Sequence, residues 1–175
     1  MKKNRIMFLV LAVVFIIFLA KDVIIKIAVE NGVGSVTGLK LRTGSFRVGI
    51  FRPVVDIKNL KLLNPANFPD KTMIDMPEIY VKYNLPAIIG GKVYLPEVRL
   101  ALKEFIVEKN SKGELNLDAL KNVKEQKKTK PAEPANKSAK APQIKIDLFK
   151  LSIGKVIYKD YSKGAEPQVK EFNIN

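Results

Sequence analysis

Of the nine carboxylates between positions 56 and 118, six are candidates for acid–base chemistry: Asp56, Asp75, Glu78, Glu97, Glu104 and Asp118. The 175-residue chain contains no His and no Cys. It therefore cannot build a Ser-His-Asp or Cys-His nucleophile, a Cys/His zinc site or a disulfide. Since these carboxylates show no metal-ligand spacing, we interpret them as surface charge and predict a protein that is not an enzyme, with no cofactor and no metal.

The N-terminal end has the pattern of a membrane segment. Residues Ile6–Ala20 form an unbroken apolar run behind a basic start at positions 1–5. Fifteen helical residues span only about 22 Å, less than the ~30 Å hydrocarbon core. The apolar pattern resumes after Lys21-Asp22, and Lys21 could snorkel, so the sequence predicts a transmembrane helix over 6–29 that ends at Asn31-Gly32.

A cleaved signal peptide is the alternative for this segment, although Phe18 stands where cleavage favours a small side chain. Positive charge also sets the orientation. Three basic residues precede the span, whereas Lys21 and Lys26 follow it with Asp22 and Glu30 interspersed. This asymmetry favours a cytoplasmic N-terminus, a single pass through the membrane and a body on the other side of it.

The body has the period of β-strands. Apolar residues alternate with polar ones through 33–120 and again through 143–175, and turn signals separate the segments. The alternation slips between Ile57 and Leu60, between Leu95 and Val98, and across Pro77, which predicts bulges or strand breaks. Residues 86–91 predict a helical or irregular corner.

Two further segments interrupt the strand pattern. Leu115–Val123 is the helix candidate of the body. Residues 121–142 are rich in Lys, Pro and Ala and carry almost no large apolar side chain, so they predict a disordered, flexible linker between two parts of one sheet.

The net charge of +14 leaves three classes of partner to consider. Arg is scarce and Lys is spread along the polar phase of every strand, whereas nucleic-acid binding favours clustered Arg with stacking aromatic residues. We therefore exclude nucleic acid as a partner. Attraction to anionic lipid headgroups and a solvated lysine-rich surface without a special partner both stay open.

The order of these features resembles the N-terminal region of the AsmA-like family of bacterial envelope proteins, which includes the TamB type. After the basic start and the apolar helix, the segments that carry the resemblance are Gly44–Phe46, Val55–Pro65, Met76–Val81, Val98–Leu100, the turn Asn110–Leu120 and the strand pair Leu148–Asp160. The resemblance implies an anchor in the bacterial inner membrane, a body in the periplasm and a curved, twisted antiparallel β-sheet with an apolar groove. It also implies binding or transfer of phospholipid and support of outer-membrane assembly, with other envelope proteins as further partners.

The residues that we predict to line such a groove lie on the alternating strands. They are Ile79, Val81, Tyr83, Val93, Leu95, Val98, Leu100, Leu102, Ile144, Ile146 and Leu148. The same alternation would suit a small core covered by a helix, but Leu115–Val123 is too short to cover a large sheet. A membrane-tethered interaction module that pairs by its sheet edge is the alternative function.

Overall fold

A computed structural model of the chain describes residues 2–120 and 143–174, without the side chains of residues 2–14, 17, 18 and 36. The long helix α1 covers Lys2–Thr37 and the short helix α2 covers Leu85–Ile89. The strands are β1 (Leu41–Arg42), β2 (Ser45–Gly49), β3 (Val54–Leu63), β4 (Thr72–Lys82), β5 (Val93–Lys109), β6 (Ile144–Asp160) and β7 (Gln168–Asn173). The protein is therefore mainly β, and α2 provides the helical corner expected at 86–91.

Within the described part of the chain, no helix has both the length and the apolar character needed to cross a membrane.

Helix α1 ends at Thr37, so the predicted end at Asn31-Gly32 is wrong. A glycine inside a helix costs only about 1 kcal/mol, which the surrounding helix tolerates at Gly32. The stop signal is Gly38, whose φ of +70° is left-handed and whose N–H donates to the Gly34 carbonyl at 2.9 Å. Thr37 completes the cap because its Oγ1 accepts from the Leu39 N–H at 3.0 Å.

All seven strands belong to one open sheet in the order β1-β3-β4-β5-β6-β7, and β2 also pairs with β3. The pairs are antiparallel except β5 with β6, which run parallel from Val93↔Ile144 to Lys109↔Asp160. The prediction of a purely antiparallel sheet is therefore wrong. Parallel neighbours need a long crossover connection, and residues 110–143, which join β5 to β6, are numerous enough for one.

The predicted irregularity between Ile57 and Leu60 is confirmed, and it lies at Asn59. This residue has a left-handed φ of +53°, a conformation that Asn tolerates better than most residues. It lies opposite Gly44, where an added Cβ would stand 3.1 Å from the Asn59 Cβ. On the other side of Asn59, the ladder with β4 skips Pro77, which has no N–H to donate.

The predicted break between Leu95 and Val98 is wrong. Strand β5 continues through Pro96, and its pairing with β6 keeps one register on both sides of it. The apolar phase changes face here in both strands together, since Leu95 pairs with Ile146 whereas Val98 pairs with Phe149. Because the apolar phase changes at the same level in β5 and β6, the ladder between these two strands needs no bulge.

The buried core lies at the end of the sheet where α1 stops. Leu39, Leu62 and Met73 form it, with half-buried apolar side chains packed around them, among them Leu117, Ala119 and Leu120. Of the predicted helix Leu115–Val123, residues 118–120 are helical and the last three lie outside the described residues. The predicted linker 121–142 lies outside them entirely.

Candidate functional site: an apolar band on one face of the sheet

Twelve apolar side chains share one face of the sheet, because paired residues of neighbouring strands point to the same side. Their register gives the complete rows Phe46-Ile57-Ile79-Leu100-Leu151 and Val48-Val55-Val81-Val98-Phe149 across five strands, and the shorter row Leu102-Ile153. We call these twelve residues the apolar band. At ~4.8 Å between strands and ~6.6 Å between same-face residues, the band measures roughly 24 Å by 20 Å.

The exposure of the apolar band differs from strand to strand. Its innermost side chains, Ile57 and Val98, are buried, whereas Phe149 and Leu151 on β6 are 53% and 52% exposed. Helix α1 lies nearest to β1 and β2, and α2 lies nearest to β5. Among the described residues, the band is therefore open along β6, whereas its members on the other strands are half-buried or buried.

The opposite face at the same level is charged. Lys58 Nζ donates to Glu78 Oε1 at 2.8 Å and lies 3.3 Å from Asp56 Oδ1, and the Arg99 guanidinium lies 3.9 Å from the ring centre of Tyr80. The hydrogen bond with Glu78 raises the pKa of Lys58, and the same bond lowers the pKa of Glu78. This ion-pair network makes the face opposite the apolar band polar at this level.

A row of charged residues closes the apolar band at the end away from α2. Lys61 Nζ lies 3.6 Å from Asp75 Oδ2, and Lys155 Nζ lies 3.7 Å from Glu104 Oε2 and 3.6 Å from Glu171 Oε1. By register, Lys61, Asp75, Glu104 and Lys155 stand on the same face as the band. The apolar surface is therefore limited in length.

The structure divides the predicted groove residues between the two faces. Ile79, Val81, Val98, Leu100 and Leu102 lie in the apolar band. The opposite face holds Val93, Leu95, Ile144, Ile146 and Leu148.

Tyr83 follows the end of β4, and its hydroxyl donates to the Gly49 carbonyl at 2.8 Å. It therefore ties the ends of two strands together. The eleven residues do not form one surface.

Seven residues of the apolar band are absent from the predicted set: Phe46, Val48, Val55, Ile57, Phe149, Leu151 and Ile153. Their alternation is visible in the sequence, but it does not tell which face each run occupies. The signal that could have found them is the phase change at Leu148-Phe149, which mirrors the one at Leu95–Val98 in the neighbouring strand.

Charged side chains of α1 occupy the outer edge of β1 and β2. Lys21 Nζ donates to the Val48 carbonyl at 2.6 Å, and the Val48 N–H donates to Asp22 Oδ1 at 2.9 Å. One turn further on, Lys26 Nζ donates to the Thr43 carbonyl at 2.6 Å. We call this set of contacts the helix clamp. Because it satisfies backbone groups that an edge strand leaves open, it protects this edge from pairing with another chain.

Glu30 completes the helix clamp, since its Oε1 accepts from both the N–H and the Oγ1 of the buried Thr43, at 2.7 and 2.8 Å. We expect Glu30→Ala to lower the free energy of unfolding by about 1 kcal/mol, because it removes a charged acceptor from a half-buried N–H. Urea denaturation of the full chain in mild detergent measures this difference. Unchanged stability would show that water replaces the carboxylate without loss.

The Asn110–Leu120 turn, on which part of the family resemblance rests, has a structural role. Asn110 Oδ1 accepts from the N–H groups of Lys112 and Glu114, both at 3.0 Å, and Gly113 supplies the left-handed φ of +82°. The turn returns Asn116 to the sheet, where this fully buried amide bonds to Asn64, Ile106 and Glu108. The motif therefore fixes the end of β5.

Two other kinds of candidate site, a cavity and a metal site, have less support among the described residues than the apolar band. A cavity of about 360 Å³ borders the apolar band and is lined by Leu151, Ser152, Ile153, Gly154 and Ile174. Among the described residues, no group of three or more acidic side chains could hold a metal ion.

Comparisons with protein-family models, curated proteins and solved structures give no match, so the AsmA-like resemblance is a hypothesis that rests on the order of the sequence motifs alone.

Proposed function

We propose that this chain is an AsmA-like, membrane-anchored protein of the bacterial periplasm that binds phospholipid and supports envelope assembly. Residues 6–20 insert into the inner membrane, with the basic start in the cytoplasm, and local thinning of the bilayer and snorkelling of the flanking basic side chains compensate for the shortness of this span. Residues 21–30 then belong to the helix clamp, because their charged side chains bond to the edge of the sheet. The anchor is thereby shorter than the predicted 6–29.

The observation that carries this proposal is the apolar band and its exposed side along β6. Each methylene of an acyl chain that leaves water gains about 0.8 kcal/mol, so the part of the band exposed along β6 offers affinity to an acyl chain. The largest contiguous apolar patch of a protein surface is often a functional one. The exposed side chains Phe149 and Leu151 would be the first to contact lipid.

The charged row that closes the apolar band favours binding of lipid over movement of lipid along the sheet. An acyl chain that moved further along the sheet would have to pass Lys61, Asp75, Glu104 and Lys155. Desolvating these charges opposes such movement. The chain therefore holds lipid near the membrane, and transfer over a longer distance requires another protein.

Two adjacent substitutions on β6 test the lipid proposal. Leu151 lies in the apolar band and Ser152 on the opposite face, and both side chains are exposed. Because about half of the surface of Leu151 is exposed, the Leu151→Asp variant should stay folded and lose most of the bound lipid. Ser152→Asp adds the same charge and should retain it. Native mass spectrometry of the detergent-extracted full chain measures bound phospholipid, and circular dichroism verifies the fold.

Equal lipid retention by the two variants would contradict the proposed site, and so would a wild-type chain that carries no phospholipid. If Leu151→Asp unfolds the chain, Phe149→Ser provides a second test. This change removes the other exposed member of the band without adding a charge, and it should lower the bound lipid while Ser152→Asp does not.

A protein-interaction module is the second candidate, and one observation favours it. Strand β7 pairs with β6 only over Lys155–Asp160, so no described strand covers the outer edge of residues 144–153. A partner strand on this edge would protect its outward amides from hydrogen exchange whatever the lipid content. Acyl chains on the apolar band would leave those amides exchanging as before, which separates the two functions.

A further inference from the structure

One end of the sheet lies beside the N-terminal part of α1, and the helix clamp shows which end it is. Strand β2 runs antiparallel to α1, because Thr43 contacts Lys26 and Glu30 whereas Val48 contacts Lys21 and Asp22. The chain therefore leaves β2 toward residues 6–20. The turn that follows β2 is placed at this end of the sheet.

The pairing register brings three more segments to the same end. Val54 pairs with Lys82, so β3 begins where β4 ends. Helix α2 follows β4 directly, and β5 then begins at Val93, which pairs with Ile144 at the start of β6. The turn 50–53, helix α2 and the first residue of β6 thus lie at one end, which we call the anchor-side tip.

Large apolar side chains are exposed at the anchor-side tip. Phe51 is 89% exposed and Ile89 is 80% exposed, and Ile50, Ile88 and Ile144 are exposed as well. Single exposed apolar residues are ordinary on protein surfaces, but five of them on three converging segments form a surface that favours contact with another apolar phase.

Exposed cations surround these apolar side chains. Arg52 follows Phe51, Lys92 follows the α2 corner, and Lys82 and Lys145 stand at the neighbouring strand ends. Lys145 forms an ion pair with Asp147, whose Oδ1 lies 3.2 Å from the Lys145 Nζ. Arg52, Lys82 and Lys92 therefore supply most of the positive field. An apolar tip with a cationic rim is the pattern of a surface that enters the headgroup region of an anionic bilayer.

We propose that the anchor-side tip inserts Phe51 and Ile89 into the interface of an anionic bilayer, while Arg52, Lys82 and Lys92 contact the lipid phosphates. This inference rests on the proposed anchor, because residues 6–20 hold the tip at the membrane. The row of the apolar band that contains Val98 is the one nearest to the tip. Val98 lies five residues beyond Val93 on β5, about 16 Å from the tip. Insertion therefore places the band within reach of lipids that leave the bilayer.

The absence of Trp from the sequence gives a direct test, since each introduced Trp is the only one in the chain. We choose Phe51→Trp and Ile89→Trp at the tip, and Phe172→Trp as the control. Phe172 is 55% exposed and pairs with Val156, far along β6 from Ile144. Each full-length variant is reconstituted into nanodiscs of phosphatidylcholine and phosphatidylglycerol, with and without brominated acyl chains.

The tip tryptophans should show blue-shifted emission and quenching by brominated lipid about twofold or more above that of the control. Replacing phosphatidylglycerol by phosphatidylcholine should reduce this quenching, because the cationic rim loses its partner. A tip that binds protein instead would leave both tip tryptophans at the control level, which would overturn the inference. Equal quenching in the two lipid compositions would overturn the assignment of an anionic surface.

The failure of the anchor is distinguishable from the failure of this inference. If residues 6–20 do not insert, the chain will elute apart from the nanodiscs and will be released by alkaline carbonate. If the chain stays with the nanodiscs and the tip tryptophans are not quenched, the anchor stands and tip insertion is wrong.

Discussion

Asn116→Ala is expected to lower the free energy of unfolding by about 3–5 kcal/mol, because one fully buried amide serves three partners. Its Oδ1 accepts from the Glu108 N–H at 3.0 Å, and its Nδ2 donates to Asn64 Oδ1 at 2.9 Å and to the Ile106 carbonyl at 2.8 Å. Alanine leaves all three groups without this partner, and the groups of Glu108 and Ile106 belong to buried residues. Buried polar groups without a partner are costly.

A matched control lies in the same region. Asn67 Nδ2 donates to Glu114 Oε2 at 2.9 Å, but Asn67 is exposed and water can replace the lost bond. Asn67→Ala should therefore change stability by no more than about 0.5 kcal/mol. Urea denaturation of the full chain in detergent compares the two variants. A similar small loss in both would show that the Asn116 network does not stabilise the sheet.

The strands themselves follow from the sequence, because alternation and turn residues are local signals. The runs around Val98–Leu102 and Ile144–Leu148 fall within strands β5 and β6. The predicted end of α1 is wrong because the local signal, a glycine, occurs at two positions. Glycine is permissive at both Gly32 and Gly38, and only the contacts around Gly38 select it as the cap.

The assignment of faces could not follow from alternation. A period of two relates residues within one uninterrupted run, but Leu95 and Val98 are three positions apart and so lie on opposite faces. A bulge between them would have restored a single groove face. The parallel partner β6 changes phase at the same level, and this correspondence depends on pairing between distant segments.

The role of Lys21 also depended on a tertiary contact. Its position after an apolar run suggested a side chain that snorkels, whereas it bonds to Val48 on a strand 27 residues further along the chain. The polar residues Asp22, Lys26 and Glu30 stand four apart and so share one side of the helix, a pattern that is visible in the sequence. The sequence does not show their partners, which are groups of Thr43 and Val48 at the edge of the sheet.

Glu108 is expected to make stability rise as the pH falls from 7 toward 5. Its carboxylate is fully buried, and burial raises its pKa from 4.5 to about 6. Asp70 beside it acts in the same direction, whereas the N–H of Asp70, which donates to Glu108 Oε1 at 3.4 Å, and the nearby Lys159 oppose the rise. Lys159 is itself paired with Asp70 Oδ2 at 2.7 Å, so its charge only partly compensates Glu108.

The sign follows from the two pKa values. A carboxyl group whose pKa is higher in the folded protein binds its proton more tightly there, so its ionisation destabilises the fold. The penalty is absent below pH 4.5, grows as the pH rises through 6, and reaches about 2 kcal/mol at pH 7. Glu78 and Asp160, whose pKa values are lowered by hydrogen bonds to Lys58 and Ser162, act oppositely but only as the pH falls through about 4 and below.

Glu108→Gln separates this effect from other titrations. The neutral amide cannot ionise, so the variant should lose the stability gain of about 2 kcal/mol between pH 7 and pH 4.5. Its stability at any single pH carries a separate cost, because an amide nitrogen replaces one of the two oxygens that accept from Asn64 and Asp70. The pH dependence is therefore the diagnostic quantity, measured by urea denaturation at intervals across this range. Parallel curves for the wild type and the variant would show that Glu108 does not titrate in this window.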